Sequence, residues 1–183
     1  HEWVRRWRRK KQLERTLDKR PDMFEKLEFS SKEDKRLVEE IKYERLPERL
    51  KLRFEPRRAE EADVESILAV MEEAKAFLRE RGVDQWQDGY PNRETVMADI
   101  AAGRGWAFDC LDTGELAGYE CVSMEPEACY PGIEGKWLAV GGNYAVIHRT
   151  MAAAKFRGTR LSGEMFSFAE ELASGMGKAT MRP

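Results

Sequence analysis

Cysteine is scarce in this chain, with three among 183 residues: Cys110, Cys121 and Cys129. So few thiols, irregularly spaced, make neither a disulfide framework nor a zinc site, and no metal centre is expected. Long apolar runs are missing as well. The longest uncharged stretch, Trp137 to His148, contains a Gly-Gly pair and falls short of the roughly 18 apolar residues that cross a membrane. The first residues are a charge run without an apolar segment, so no secretory signal is expected and a cytoplasmic location is. Membrane-spanning, secreted and zinc-finger classes drop out.

What the chain has in quantity is charge, at 36% of residues and a mean hydropathy of −0.68. The 42% hydrophobic residues suffice for one domain, or one domain plus a helical appendage. The net charge of −2 conceals an asymmetry. Residues 1–50 carry 16 Lys+Arg against 12 Asp+Glu, net +4, whereas residues 51–183 carry 16 against 22, net −6. Such a split suggests two parts with different partners. The sequence opens at His1-Glu2 inside a helical pattern and stops at Lys178–Pro183 where a strand pattern begins. A segment of a longer protein is therefore expected.

Val4, Trp7, Leu13 and Leu17 fit an imperfect helical stripe, which Pro21-Asp22 breaks. Ser31-Lys-Glu-Asp34 is a capping signal ahead of Leu37, Val38 and Ile41, one apolar face of a second helix. The charged stretch around Pro47 reads as a linker over 46–50, and the alternation from Leu50 to Phe54 as a strand. From there the pattern is mixed. Val64, Ile67, Leu68, Met71, Ala74 and Leu78 keep a helical period that Gly82 ends. Gln85 to Asn92 (QWQDGYPN) is an aromatic loop, and Thr95 to Ala102 a short helix. Two strands, Trp106 to Leu111 and Glu115 to Met124, are joined by a hairpin at Asp112-Thr-Gly114. Tyr144 to Ala152 is a buried strand, and Leu161, Met165, Phe166, Ala169 and Leu172 face inward from a last helix.

The unit from Tyr144 to Gly177 carries the chemistry. A helix that opens straight after a strand presents unpaired N–H groups and a positive dipole end, which hold a phosphate without any particular side chain. In the turn from Phe156 to Gly163 (FRGTRLSG), the small Gly158, Ser162 and Gly163 let a ligand approach the main chain, while Arg157 and Arg160 add charge.

The element order, with YAVIHR at 144–149 and FRG at 156–158, resembles the GNAT acetyltransferases throughout residues 51–183. That resemblance implies an α+β fold: a mixed, mostly antiparallel sheet flanked by helices, here preceded by a small helical segment and incomplete at its C-terminus. It also implies acetyl transfer from acetyl-CoA to an amine, by direct attack on the thioester. In the family's Gln/Arg-x-x-Gly-x-Gly/Ala loop, Arg157 fills the first position, Arg160 stands at the middle glycine and Ser162 at the last Gly/Ala. The Arg160 side chain either crowds the pyrophosphate or folds outward. The loop residues Arg157, Gly158, Thr159, Arg160, Leu161, Ser162 and Gly163 are the expected cofactor-binding set. A main-chain N–H near Met151 or Ala152 would meet the thioester oxygen. His148, on the relevant strand, is a candidate base, with Glu134 and Glu120 as others; a strand histidine can equally be a packed one. Gln85, Trp86 and Tyr90 either line the acceptor pocket or cap the core edge. The family's thiolate-protonating tyrosine lies on a later helix, so this segment alone is expected to turn over little.

Residues 1–45 resemble the end of the bacterial tRNA guanine-N(1) methyltransferases of the TrmD family. His1, Val4, Trp7, Arg8 and Arg9 (H-x-x-V-x-x-W-R-R), Arg15-Thr16, and Arg20-Pro21-Asp22 carry the likeness, and Ser31 to Ile41 fits the closing helix. The resemblance implies a helical tRNA grip in residues 1–20, with Trp7, Arg8, Arg9 and Lys10 as contacts, the S-adenosylmethionine site lying in a domain upstream. Two functional readings stand: an acetyltransferase domain fused to a methyltransferase tail, or a non-catalytic tRNA-binding accessory module.

Overall fold

Ser31 accepts a hydrogen bond from the Asp34 amide at 3.0 Å and so starts a helix that buries Leu37, Val38 and Ile41. In the computed structural model, which describes residues 2–29, 31–127, 130 and 143–182, this helix belongs to the first of two units, His1–Lys51 and Leu52–Pro183. The first unit holds α1 (Glu2–Lys19), α2 (Pro21–Phe24) and α3 (Lys32–Glu44). Pro21 sits in the first turn of α2, where its missing N–H costs nothing. Leu13 and Phe24 meet Leu37, Val38 and Ile41 in a small core. Val4 and Trp7, expected on the apolar stripe of α1, are exposed instead. Only the second half of α1 buries carbon; its first half is tied to α3 by ion pairs.

The second unit runs β1 (Phe54–Arg58), α4 (Val64–Glu80), α5 (Arg93–Ala101), β2 (Gly105–Cys110), β3 (Leu116–Ser123), β4 (Tyr144–Ala152), α6 (Leu161–Gly175) and β5 (Thr180–Arg182). The strands form one sheet in the order β1-β2-β3-β4-β5. Neighbours are antiparallel except β4 and β5, which run parallel. The alternation from Leu50 to Phe54 is not a strand: Glu48–Leu50 is a 3-10 turn and pairing starts only at Phe54. β1 carries Pro56, which an edge strand tolerates because the missing donor can face outward.

Helices cover both faces. On one, Ile67, Val70 and Met71 of α4 pack on Ala107, Tyr119 and Met151. On the other, Leu161 and Met165 of α6 pack on Phe108, Cys110 and Ala117. Close contact with α6 depends on Gly118, where a Cβ would lie 2.9 Å from the Met151 carbonyl oxygen and 3.2 Å from the Met165 sulfur. Glu120 is the exception in this core. It is 0% exposed, and its carboxyl oxygens, like Nε1 of its cross-strand neighbour Trp106, find no hydrogen-bond partner among the described residues.

Burial pushes the Glu120 carboxyl from an ordinary 4.5 up to about 8. The folded protein therefore holds a proton that the unfolded chain releases. This contribution is fully present below about pH 4.5 and is lost as pH rises through about 8, by up to about 1.4 kcal/mol per pH unit. Glu120→Gln, neutral at every pH, should remove that fall. Urea denaturation at pH 5 and pH 8 is expected to show a smaller pH loss for the variant than for the unaltered chain. Parallel losses in the two proteins would contradict a protonated Glu120.

Candidate functional site

Strand β4 is interrupted where the chemistry was expected. Tyr119 pairs with Met151 and Cys121 with His148, so β4 spends an extra residue opposite Glu120. Such a bulge re-aims the side chains on the strand that carries it. Arg149 takes up the irregularity at φ 53, a left-handed conformation that costs a non-glycine residue about 1 kcal/mol or more. Its side chain repays the strain. Nε and Nη2 donate to the two oxygens of Asp99 at 2.8 and 2.7 Å, and Nη1 donates to the Tyr90 hydroxyl at 2.6 Å. Asp99 is 2% exposed and also accepts from the Tyr119 hydroxyl at 3.1 Å. Burial pushes the Tyr119 phenol well above its usual value, so it stays a donor. One buried carboxylate thus joins α5, β3, β4 and the aromatic loop.

The loop and β4 form part of the wall of a cavity of about 1200 Å³, whose other walls are α4, the turn before α6, β5, and a side of α6 next to its buried face; Phe166, expected to face inward, lies on that side and is 50% exposed. Among the described residues only Trp86, at φ 67, and Arg149 are non-glycines with left-handed backbone, and both line this cavity. Strain of this kind concentrates at functional sites.

The main chain at the end of β4 is oriented toward the same space. The Ala153 amide donates to Ala117 on β3. Amides alternate along a strand, so the Ala152 N–H points to the opposite edge, the cavity side. Its carbonyl does likewise, accepting from Nε of the cavity-lining Arg157 at 3.3 Å. Of the expected pair, Ala152 rather than Met151 offers its amide. Beyond it the chain makes a 3-10 turn, Ala154–Phe156, whose Ala154 amide donates to Glu73 of α4 at 2.6 Å. Gly158 then adopts φ 73, a conformation reserved for glycine. Thr159 accepts from the Leu161 amide, which leaves the Ser162 and Gly163 amides of the first turn of α6 without a partner among the described residues. The Arg157 guanidinium carbon lies 4.4 Å from the Phe77 ring centre, and Nη2 is a buried donor with no hydrogen-bond partner among the described residues.

Most of the expected site residues meet at this cavity: His148, Met151, Ala152, Arg157, Gly158 and Ser162, together with Gln85, Trp86 and Tyr90. Thr159, Leu161 and Gly163 shape the turn without lining the cavity, and Leu161 is core. Arg160 folds outward along α6 onto Glu164 at 3.0 Å, so it does not crowd the helix start. Glu120 is sealed under α6 and is removed from the candidate bases. Glu134 and His1 lie outside the described residues. Sequence reasoning passed over Asp99, Arg149, Glu73 and Glu127. The last holds Nε2 of His148 at 2.8 Å, and Nδ1 has no partner among the described residues.

In the first unit the expected cations separate into two sets. Arg9 gives two hydrogen bonds to Asp34, and Lys10 pairs with Glu40 and Glu44. Both are engaged by α3, which corrects their reading as free phosphate contacts. Arg8, Arg15 and Lys19 have no ion-pair partner among the described residues. With Trp7 and Lys11 they line one side of α1.

No family model matches the chain. Over 41 residues it is 58% identical to a tRNA (guanine-N(1)-)-methyltransferase of Dehalococcoides mccartyi, covering 22% of this chain and 16% of that protein. Over 44 residues it is 54% identical to the protein of the same name from Dictyoglomus turgidum, covering 24% and 18%. The chain spans about a sixth of the length of these curated relatives. Among solved structures, a GNAT-family acetyltransferase from Streptococcus agalactiae is 35% identical over 67% of this chain and 69% of that one, with a TM-score of 0.58. Another from Listeria monocytogenes is 28% identical over 68% and 72%, with a TM-score of 0.56.

Replacing Asp99 tests the network. Asp99→Ala leaves the Arg149 cation buried without its counter-ion, a change that typically costs about 3–5 kcal/mol. Chemical denaturation followed in the second unit should show a loss of that order. A loss below about 1 kcal/mol would mean that the bulge does not depend on this pair.

Proposed function

The chain belongs to the GNAT acetyltransferase family, and from that premise we propose that its second unit transfers the acetyl group of acetyl-CoA to an amine. The carrying observation is the convergence, on one cavity, of an unengaged helix start, a cavity-facing strand amide and an orphaned guanidinium nitrogen. An anionic carrier with a thioester fits those groups. The Ser162 and Gly163 amides and Arg157 Nη2 would hold its diphosphate, with the dipole of the 15-residue α6 behind them. The carrier supplies an activated acetyl group. The Ala152 N–H donates to the carbonyl oxygen where negative charge grows, an interaction stronger in the transition state than before it. Nδ1 of His148 takes the proton of the incoming ammonium while Glu127 keeps the ring in place. As the N–C bond forms, the C–S bond breaks, and the sulfur leaves with the electron pair and takes up the second proton that nitrogen sheds.

For residues 1–45 we propose a tRNA-binding tail, joined to the acetyltransferase unit through residues 46–50. Support comes from the short methyltransferase likeness and from the unpaired cations on one side of α1. Arg8, Arg15 and Lys19 recur at intervals of seven and four residues, which keeps them on one helical face, while Lys11 between them is paired with Glu14 at 2.6 Å.

Calorimetric titration of acetyl-CoA into the chain should give micromolar or tighter binding, weakened at least tenfold in Arg157→Ala. Heat no different from buffer would remove the acetyltransferase reading. For the tail, the double substitution of Arg8 and Arg15 by Ala should weaken tRNA binding and flatten its salt dependence by about one logarithmic unit per lost phosphate contact. Arg9→Ala should instead lower stability. Unchanged tRNA affinity in the double variant would leave α1 a structural element.

A further inference from the structure

The cavity wall supplied by α4 and the loop after it consists of Ala74, Phe77, Leu78, Gln85, Trp86 and Tyr90, none of them charged. The one carboxylate among the described lining residues, Glu170, stands on α6, against the other face of the sheet. Of the neighbouring cations, Arg149 is engaged twice by Asp99 and Arg157 lies against Phe77 and the Ala152 carbonyl. Arg81 covers Phe77 from 4.1 Å, so that ring is already occupied. Trp86 and Tyr90 differ. Neither ring stacks on another ring or a cation among the described residues. Trp86 nevertheless keeps a strained backbone, and the Tyr90 hydroxyl is pinned by Arg149.

Charge decides which amines such a wall accepts. A polyamine or a basic peptide brings several ammonium groups, and each one taken out of water needs an anion that this wall does not offer. An amino acid brings a carboxylate, and this wall carries no cation for it: Arg149 beside it is held by Asp99, and, apart from Arg157, the cavity's other cations, Lys178 and Arg182, stand at its α6–β5 end. A single ammonium on a carbon skeleton meets neither obstacle: it gives up its proton to His148 while its skeleton covers the indole and phenol faces.

We infer that the acceptor is a primary monoamine carried on an apolar or aromatic body, seated on Trp86 and Tyr90 with its nitrogen turned toward His148. The inference rests on the acetyl-transfer reading above. In the step it completes, the ammonium gives one proton to His148, an N–C bond forms to the acetyl carbon of acetyl-CoA as the C–S bond breaks with its electron pair on sulfur, and the second proton shed by nitrogen goes to that thiolate.

The test loads the full chain with CoA, which cannot react, and titrates phenethylamine and spermidine separately by calorimetry. Phenethylamine should bind at least tenfold more tightly than spermidine, and Trp86→Ala should weaken it about fivefold or more while CoA affinity holds. Because Trp86 also packs against the core, saturation-transfer NMR on the unaltered protein gives a second readout, with the largest transfer expected at the phenyl protons. Spermidine bound as tightly as phenethylamine would overturn the inference. So would an unchanged phenethylamine affinity in a Trp86→Ala protein that still binds CoA, or CoA binding with no affinity for phenethylamine. Failure of CoA itself to bind would be a different result, removing the acetyl-transfer reading first and this inference with it.

Discussion

The carboxylate of Asp99, buried at the end of α5, holds the guanidinium of the cavity-lining Arg149 by two hydrogen bonds. Ion pairs of this kind seldom add much net stability, because desolvation offsets the attraction. Here the pair fixes a geometry. Arg149 can rest at φ 53 because its side chain is anchored, and while it does, β4 keeps its extra residue against β3. The bulge separates the regular pairing of Tyr144 to His148 from the run of Met151 to Ala153, whose amides alternate so that Ala152 faces the cavity. The third arm of the same guanidinium reaches Tyr90 and ties the aromatic loop to the strand. The end of β4 and the aromatic loop are thus joined through one buried contact.

The cradle itself is built from absences. α6 starts at Leu161 with no side-chain cap from its N-cap residue Arg160. Thr159 satisfies one amide and leaves two. A helix start left open in this way is costly unless something anionic completes it. Arg160 could have filled the space and instead pairs with Glu164 one turn along. Nη2 of Arg157 is likewise a buried donor without a partner among the described residues, which fits the proposed carrier.

Much of this was legible in the sequence because it obeys local rules. The Ser31 cap, the helical period from Val64 to Leu78, the hairpin at Asp112–Gly114 and the strand from Tyr144 to Ala152 are all set by neighbours close in the chain. The strand placed at Leu50–Phe54 failed because alternation by itself does not pair a strand; the partner in β2 begins opposite Phe54. The Val4–Trp7 stripe failed for a related reason, since α2 and α3 offer apolar partners only near Leu13. The site divides the same way. His148, Arg157, Ser162 and the aromatic loop carried recognisable chemistry, whereas Asp99, Glu73 and Glu127 act across 50, 81 and 21 residues of chain. A charged residue inside a buried strand, Arg149, was the one sequence signal of the missing partner, because such a cation requires an anion somewhere in the core.

The main chain at the end of β4 and the start of α6 is proposed to cradle an anionic thioester carrier. Amide-resolved NMR of the full chain during a titration with CoA tests it most directly. The largest shifts are expected at the amides of Ala152, Arg157, Ser162 and Gly163, with those of α1 to α3 unmoved. Shifts that leave these four amides in place, or that gather on the basic face of α1, would show CoA held by surface charge alone and would contradict the account.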